Sequence, residues 1–372
     1  MLIALFLITS YGIGVFGGSI CPPRNRIYPC RCINIENDNK DYHTIISCQK
    51  LQDVTTLERI YPTLMNMEID KFVISDSFLL ENSLKEGAQS KSNLPSDWFT
   101  LTWIKELEII DSNLSSCFGC EAKMPCRNHF TTKIEITNSS SANKICLLCN
   151  IPIREEEISS EPSRLYCLKQ LKEFHFTHGK LSSINNNFFP KKVENLITLN
   201  FSYNEIRLIY SSVFNSFPNL EELDLSHNAL TSIEGIFTEQ TGLELLDLSW
   251  NSIQSLSPDF FTHLWNLKTF NIKYNLIKTM VKWNVIPKGL KKVDFEGNSI
   301  HCDCRIRWLN SILSDDIDFA GNCESPVGYQ NSSLRSILPM LTTRCNSPGR
   351  KKTLRRHRGD EKITIEHGFR NV

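Results

Sequence analysis

One pattern returns six times at nearly constant spacing, and it constrains the fold more than any other feature of the chain. It first reads Leu171-x-x-Phe174-x-Phe176-x-x-Gly179-x-Leu181, then Leu196-x-x-Leu199-x-Phe201-x-x-Asn204-x-Ile206. It continues as Leu220-x-x-Leu223-x-Leu225-x-x-Asn228-x-Leu230 and Leu243-x-x-Leu246-x-Leu248-x-x-Asn251-x-Ile253. The last copies are Leu267-x-x-Phe270-x-Ile272-x-x-Asn275-x-Ile277 and Leu290-x-x-Val293-x-Phe295-x-x-Asn298-x-Ile300. First positions advance by 25, 24, 23, 24 and 23 residues, a regularity that composition alone does not produce. A unit this short cannot bury its apolar face by itself, so successive units must stack. The alternating apolar residues at its centre have the period of two of a strand. Stacking therefore predicts a parallel sheet on one side of a solenoid. Phe188, Phe214, Phe237 and Phe261 fall late in their units and are expected to stack along the other, convex side, which places part of the 21 Phe in the core.

Looser copies come earlier. Ile104-x-x-Leu107-x-Ile109-x-x-Ser112-x-Leu114 fits with Ser in the Asn place, and Ile69-x-x-Phe72-x-Ile74-x-x-Ser77-x-Leu79 fits less closely. Ile134-x-Ile136 is a further candidate strand, and the irregular spacing here predicts insertions that bulge from the coil.

The pattern resembles the extracellular leucine-rich repeat. That resemblance implies an α/β solenoid: a horseshoe with short parallel strands on the concave face and disulfide-bonded terminal caps. It also implies that each repeat Asn satisfies backbone groups where its strand ends, since buried backbone groups must find partners. Cys302-Asp303-Cys304, Trp308-Leu309, Cys323 with Pro326, and Cys345 resemble the C-terminal cap of such proteins, which implies the pairs Cys302–Cys323 and Cys304–Cys345. Cys21-Pro22-Pro23, Cys30-x-Cys32 and Cys48 resemble the N-terminal cap, implying Cys21–Cys32 and Cys30–Cys48, although Cys21 and Cys30 stand further apart than in the common cap pattern. The opening, with Pro29-Cys30-x-Cys32, Ile46-x-Cys48 and a helix start at Leu57-Glu58, also resembles arthropod secreted proteins named after the non-catalytic subunit of Oplophorus luciferase, over roughly residues 20–115. Six further cysteines, Cys117, Cys120, Cys126, Cys146, Cys149 and Cys167, read as three disulfides closing an insertion, with a zinc site as the competing reading of the two Cys-x-x-Cys pairs.

Compartment follows from the N-terminus and from the 14 cysteines, too many for a reduced cytosolic chain of 372 residues. Residues 2–16 are an apolar run, and Gly17, Gly18 and Ser19 suit signal-peptidase cleavage before Cys21. No later window is apolar enough for a membrane span. Asn113, Asn138, Asn200 and Asn331 head Asn-x-Ser sequons, which fit a secreted, extracellular glycoprotein. The expected segments are a signal peptide at 1–19, an N-terminal cap at 20–60, irregular repeats with the cysteine-rich insertion at 61–170, regular repeats at 171–300, a C-terminal cap at 301–346 and a basic tail at 347–372.

Lys plus Arg and Asp plus Glu both count 41, so the chain lacks the basic excess of a nucleic-acid binder. No nucleophile elbow, zinc-protease helix, phosphate loop or dinucleotide fingerprint occurs. The expectation is a non-enzyme without metal or cofactor that binds a partner through its solenoid. The strand positions expected to face solvent form a polar, acidic ladder, and the candidate partner-binding residues are Glu222, Asp224, Asp247, Asn271, Lys273, Asp294 and Glu296. Ser202, Ser226 and Ser249 are read as facing solvent too, and a glycan on Asn200 would cover the start of this face. The expected partner is an extracellular protein, with an acidic glycan able to meet the basic tail around Arg350–Arg358. The competing readings are a non-catalytic accessory subunit that stabilises a secreted enzyme and a soluble receptor-like decoy.

Overall fold

The computed structural model describes residues 19–36, 38, 41–53, 55–78, 102–113, 130–139, 168–184, 192–239, 242–312 and 317–346. The expected signal peptide, the six middle cysteines, Phe188 and the basic tail lie outside these residues.

In chain order the strands are β1 (Arg31–Glu36), β2 (Tyr42–Gln49), β3 (Glu68–Ser75), β4 (Trp103–Ile110), β5 (Lys133–Thr137), β6 (Glu173–Thr177), β7 (Ser183–Ile184), β8 (Thr198–Asn200), β9 (Leu208–Ile209), β10 (Glu222–Asp224), β11 (Leu245–Asp247), β12 (Thr269–Asn271), β13 (Lys292–Asp294), β14 (Ile300–His301), β15 (Asp318–Ala320) and β16 (Cys323–Ser325). Twelve of them form one sheet in the order β1-β2-β3-β4-β5-β6-β8-β10-β11-β12-β13-β15. Only the β1–β2 pair is antiparallel, so a hairpin opens a parallel solenoid sheet. Helices α1 (Arg24–Ile27) and α2 (Thr55–Leu64) flank its start, and α3 (Leu334–Asn346) closes its end.

The sheet holds together because one side chain per strand lies in a single apolar column. Ile46, Phe72, Leu107, Ile134, Phe174, Leu199, Leu223, Leu246, Phe270, Val293 and Phe319 are register partners from β2 to β15, and all are buried. Each rung hides the apolar face of the one before it, which is the main stabilising term in a stacked fold.

Where each strand ends, an amide ladder takes up the backbone groups that the turn leaves unpaired. Asn251 is representative: its Nδ2 donates to the carbonyls of Leu225 (2.9 Å) and Leu248 (3.1 Å), and its Oδ1 accepts from Leu230 N–H (3.0 Å). Asn204, Asn228, Asn275 and Asn298 repeat the arrangement. In the irregular half a hydroxyl replaces the amide. Ser77 Oγ accepts from Leu51 N–H and donates to its own strand's Ser75 carbonyl, and Ser112 and Ser139 do likewise. The first regular repeat has Gly179 instead, since a Cβ there would sit 2.6 Å from Phe176 and 2.7 Å from Asn204 Oδ1.

The buried phenylalanine spine differs in one step from the sequence expectation. Phe214 stacks on Phe237, but Phe237 meets Phe260, not Phe261, at 6.0 Å. Phe261 turns instead toward Phe270 and Trp283, because two adjacent Phe cannot point the same way from one turn.

Both ends are stapled. Cys21 is bonded to Cys32 and Cys30 to Cys48 at the start, Cys302 to Cys323 and Cys304 to Cys345 at the end. The C-terminal cap also supplies the last rung, β15, which covers the apolar edge of β13 and is itself packed against by α3.

Candidate functional site: the concave face and its aromatic rim

Two columns of side chains flank the buried one on the concave face, and their register shows three zones. Near the N-terminal cap the zone is apolar: Ile33 and Ile35 are exposed and lie opposite Ile45 and His43, with Val73 on the next rung. The middle zone alternates in charge. Lys71, Glu106, Lys133 and Glu173 are register partners on consecutive strands. Lys71 pairs with Glu108, Lys133 lies 3.4 Å from both Glu135 and Glu173, and His175 lies 3.4 Å from Glu173. Burial opposes the charge on Lys133, but Glu135 and Glu173 raise its pKa overall. The cross-strand pairs, Lys71–Glu108 and Lys133–Glu173, were invisible in the sequence, because irregular insertions separate the strands that carry them.

The third zone holds the residues proposed from sequence. Glu222 and Asp224 on β10 lie beside Leu245 and Asp247 on β11, followed by Thr269 and Asn271 on β12 and by Lys292 and Asp294 on β13. The polar column has a structural duty. Asn200, Asp224, Asp247, Asn271 and Asp294 each accept, through Oδ1, the N–H two residues on, at Ser202, Ser226, Ser249, Lys273 and Glu296. This is the Asx turn that lets a short polar side chain bend the backbone at a strand end. Two expectations fail here. Asp294 is buried, since Ala320 on β15 lies beside it and its carboxylate turns back to Glu296 N–H. Ser202, Ser226 and Ser249 are buried in the same turns and do not face solvent. Glu222 and Glu296 are exposed, and Asp224, Asp247, Asn271 and Lys273 are half-buried.

Asp224 and Asp247 sit side by side in register, and neither makes an ion pair among the described residues. Burial, with Asp247 adding to it, pushes the Asp224 carboxyl above its usual range against the lowering effect of Ser226. Asn271 Nδ2 donates to Asp247 Oδ2 at 2.7 Å.

Along the rim of this zone runs a feature the sequence reading missed. The residue before each repeat Asn, or before Gly179 in its place, takes a positive φ, and five in a row are aromatic: His178, Tyr203, His227, Trp250 and Tyr274. Their rings stack at centroid distances of 4.3, 4.0, 5.2 and 4.0 Å and within 21° of parallel. The stack ends on Gly297, whose absent Cβ would lie 2.4 Å from Tyr274 Cδ1. The same column in the earlier coils is polar: Asp76, Asp111 and Asn138, with Asn138 Nδ2 donating to Asp111 Oδ1. Burial lowers the His227 pKa, while Asp224 and Asp247 act the other way and His178 and Lys273 reinforce the lowering. The signal was available in the sequence as an aromatic one residue ahead of Asn204, Asn228, Asn251 and Asn275.

The sequon residues lie at different depths. Asn138 and Asn331 are exposed, while Asn113 and Asn200 are half-buried, Asn200 on the concave face. Among the described residues no group of three or more His, Cys, Asp and Glu is placed to hold a metal ion, and no helix is long and apolar enough to cross a membrane.

The leucine rich repeat family model matches residues 169–230 and 241–300. The chain carries leucine-rich repeats. Curated relatives with similar repeats include Toll-like receptor 9 of Mus musculus, 33% identical over 180 residues, covering 43% of this chain and 17% of the receptor. Leucine-rich repeat and fibronectin type III domain-containing protein 1 of Danio rerio is 30% identical over 161 residues, covering 42% of this chain and 25% of that protein. The corresponding protein 4 of Rattus norvegicus is 28% identical over 140 residues, covering 37% and 19%. The leucine-rich repeat chain therefore aligns with a quarter or less of each of these relatives. The fold recurs in a chain of the octameric complex of Latrophilin 3, Unc5D and FLRT2, with a TM-score of 0.51, 15% identity and coverage of 73% of this chain and 82% of that one.

Proposed function

We propose that this leucine-rich repeat chain is a secreted, non-catalytic protein that binds an extracellular protein partner through the third concave zone, Glu222 to Glu296, together with its rim. The observation that carries this reading is the juxtaposition of an exposed aromatic stack with polar strand positions from β8 to β13, a surface that offers both anchors and hydrogen-bonding groups. Tyr203, Trp250 and Tyr274 are 45%, 46% and 39% exposed, more than large aromatic residues need for folding. Leu245 and Thr269 are register partners in the middle of the zone, and both are only half-buried. The test is a screen of the secreted full-length protein against a panel of purified ectodomains, followed by Leu245→Arg and Thr269→Arg. Loss of a partner with unchanged circular dichroism supports the reading; partners that ignore both changes refute it.

A second reading, an accessory subunit that stabilises another protein, has one observation in its favour. Ile20, Tyr28, Ile33 and Ile35 are 49–75% exposed around β1, which among the described residues pairs on one side only. A cleft of about 350 Å³ adjoins them, lined by Pro22, Ile27 and Ile33 and also by Arg24 and Arg31. Aggregation of the purified chain, relieved by Ile33→Lys with Ile35→Lys, would favour this reading over the first.

A further inference from the structure

We infer that the aromatic rim beside Asp224 and Asp247 is a docking surface for an arginine- or lysine-bearing segment of a separate partner protein. This rests on the binding function proposed above and names the chemistry of the partner. Stacking consumes the faces of the inner rings, and Gly297 backs Tyr274, so the stack offers a partner its edge, an apolar strip on which Tyr203, Trp250 and Tyr274 stay exposed. Such a strip suits the aliphatic stem of a long cationic side chain, which packs on apolar surface while its head stays polar.

The head group has a destination. Asp224 and Asp247 are register partners, hence about one strand spacing of 4.8 Å apart, and both flank His227. In each, Oδ1 is held by the Asx turn, the Ser226 and Ser249 hydroxyls add a second bond to their carboxylates, and Asp247 Oδ2 takes Asn271, yet every one of these donors is neutral. Glu222 stands exposed on the same strand as Asp224. Two adjacent, half-desolvated carboxylates repel each other, and a guanidinium or ammonium placed between them removes that repulsion. The cations that face this spot from neighbouring coils are Lys273 and, when protonated, His178 and His227, and none is in ion-pair contact with either carboxylate. Charge complementarity therefore selects a cationic segment over an acidic glycan at this surface.

The probe is a twelve-residue peptide alternating Gly and Arg, titrated calorimetrically into the full-length protein in 50 mM salt, with an alternating Gly and Glu peptide and a neutral hexasaccharide as controls. Expected is saturable binding of the arginine peptide alone, weakened at least tenfold by Asp247→Asn, by Trp250→Ala and by 0.5 M salt. Asp247→Asn preserves the Oδ1 acceptor of the turn but gives up the Oδ2 acceptor of Asn271, so circular dichroism and thermal melting of the variant are read alongside to separate lost charge from lost fold. Absence of binding, equal binding of either control, or indifference to both substitutions overturns the inference. Binding seen only after Arg355, Arg356 and Arg358 are changed to Gln also overturns it, since the surface would then serve the chain's own basic tail. If Leu245→Arg and Thr269→Arg abolish capture of an ectodomain while the arginine peptide does not bind, the concave face is still a protein-binding surface and only its cationic specificity fails.

Discussion

Replacing Asn251 by Ala tests whether the amide ladder stabilises the coil through backbone satisfaction or merely through packing. The carbonyls that Asn251 serves are not orphaned by its loss. Leu225 O keeps Asn228 Nδ2, Leu248 O keeps Asn275 Nδ2, and Ser249 O keeps His227 N–H. Leu230 N–H, however, has Asn251 Oδ1 as its acceptor, and Leu230 is fully buried. The cost is then dominated by one buried unsatisfied donor, about 1–3 kcal/mol, with a smaller addition for the void left by the amide. Asn251→Asp separates the two halves of the group. A carboxylate still accepts from Leu230 N–H but points its other oxygen at Leu225 O and Leu248 O, so at pH 7 it should cost more than Ala. Protonation below about pH 4 restores a donor and should bring Asp back toward wild type. Urea unfolding followed by far-ultraviolet circular dichroism at pH 7 and at pH 4 reads both effects. A loss under about 0.5 kcal/mol for Ala, or Asp costing less than Ala at pH 7, would refute the satisfaction argument.

Gly297→Ala places a Cβ against the Tyr274 ring at a φ of +72°, and should cost about 1–2 kcal/mol from the left-handed backbone alone, with a change in near-ultraviolet dichroism as Tyr274 leaves the stack. Asp224 holds its proton more tightly when folded than when unfolded, so its ionisation costs stability as pH rises past the ordinary carboxylate range. Asp224→Asn keeps the acceptor for Ser226 N–H and should raise the melting temperature at pH 7 by about 1–3 °C, with little effect near pH 3. His227, whose folded pKa is lowered, makes the opposite contribution: stability falls as pH drops below about 6.5, and His227→Tyr should flatten the melting curve between pH 5 and 7. Removing the Cys304–Cys345 bond, whose ends are 41 positions apart, should destabilise the C-terminal cap by up to about 4 kcal/mol and expose α3 amides to hydrogen exchange.

The repeat architecture was readable because stacking imposes a one-dimensional rule: each coil meets only its neighbours, so the residues that must be apolar recur at fixed offsets. Leu199, Leu223 and Leu246 fall in one buried column for that reason, and Asn204 through Asn298 form one ladder. The concave surface was only half readable. Glu222 and Glu296 are exposed where the period of two puts them, yet Asp294 obeys the same period and is buried, because β15 arrives from the C-terminal cap to lie beside it. The aromatic rim could have been read from the residue ahead of each Asn, but its stacking depends on five successive positive-φ turns, a backbone state no single repeat displays. The cross-strand ion pairs of the irregular half could not be read at all, since Lys71 and Glu108, or Lys133 and Glu173, become neighbours only once strands separated by long insertions take their register. Sequence alone determined the periodic interior of this protein, because apolar burial and backbone satisfaction repeat with the coil. Tertiary structure decided which surface groups meet, because lateral contact across the sheet depends on register and caps, and neither is periodic in the chain.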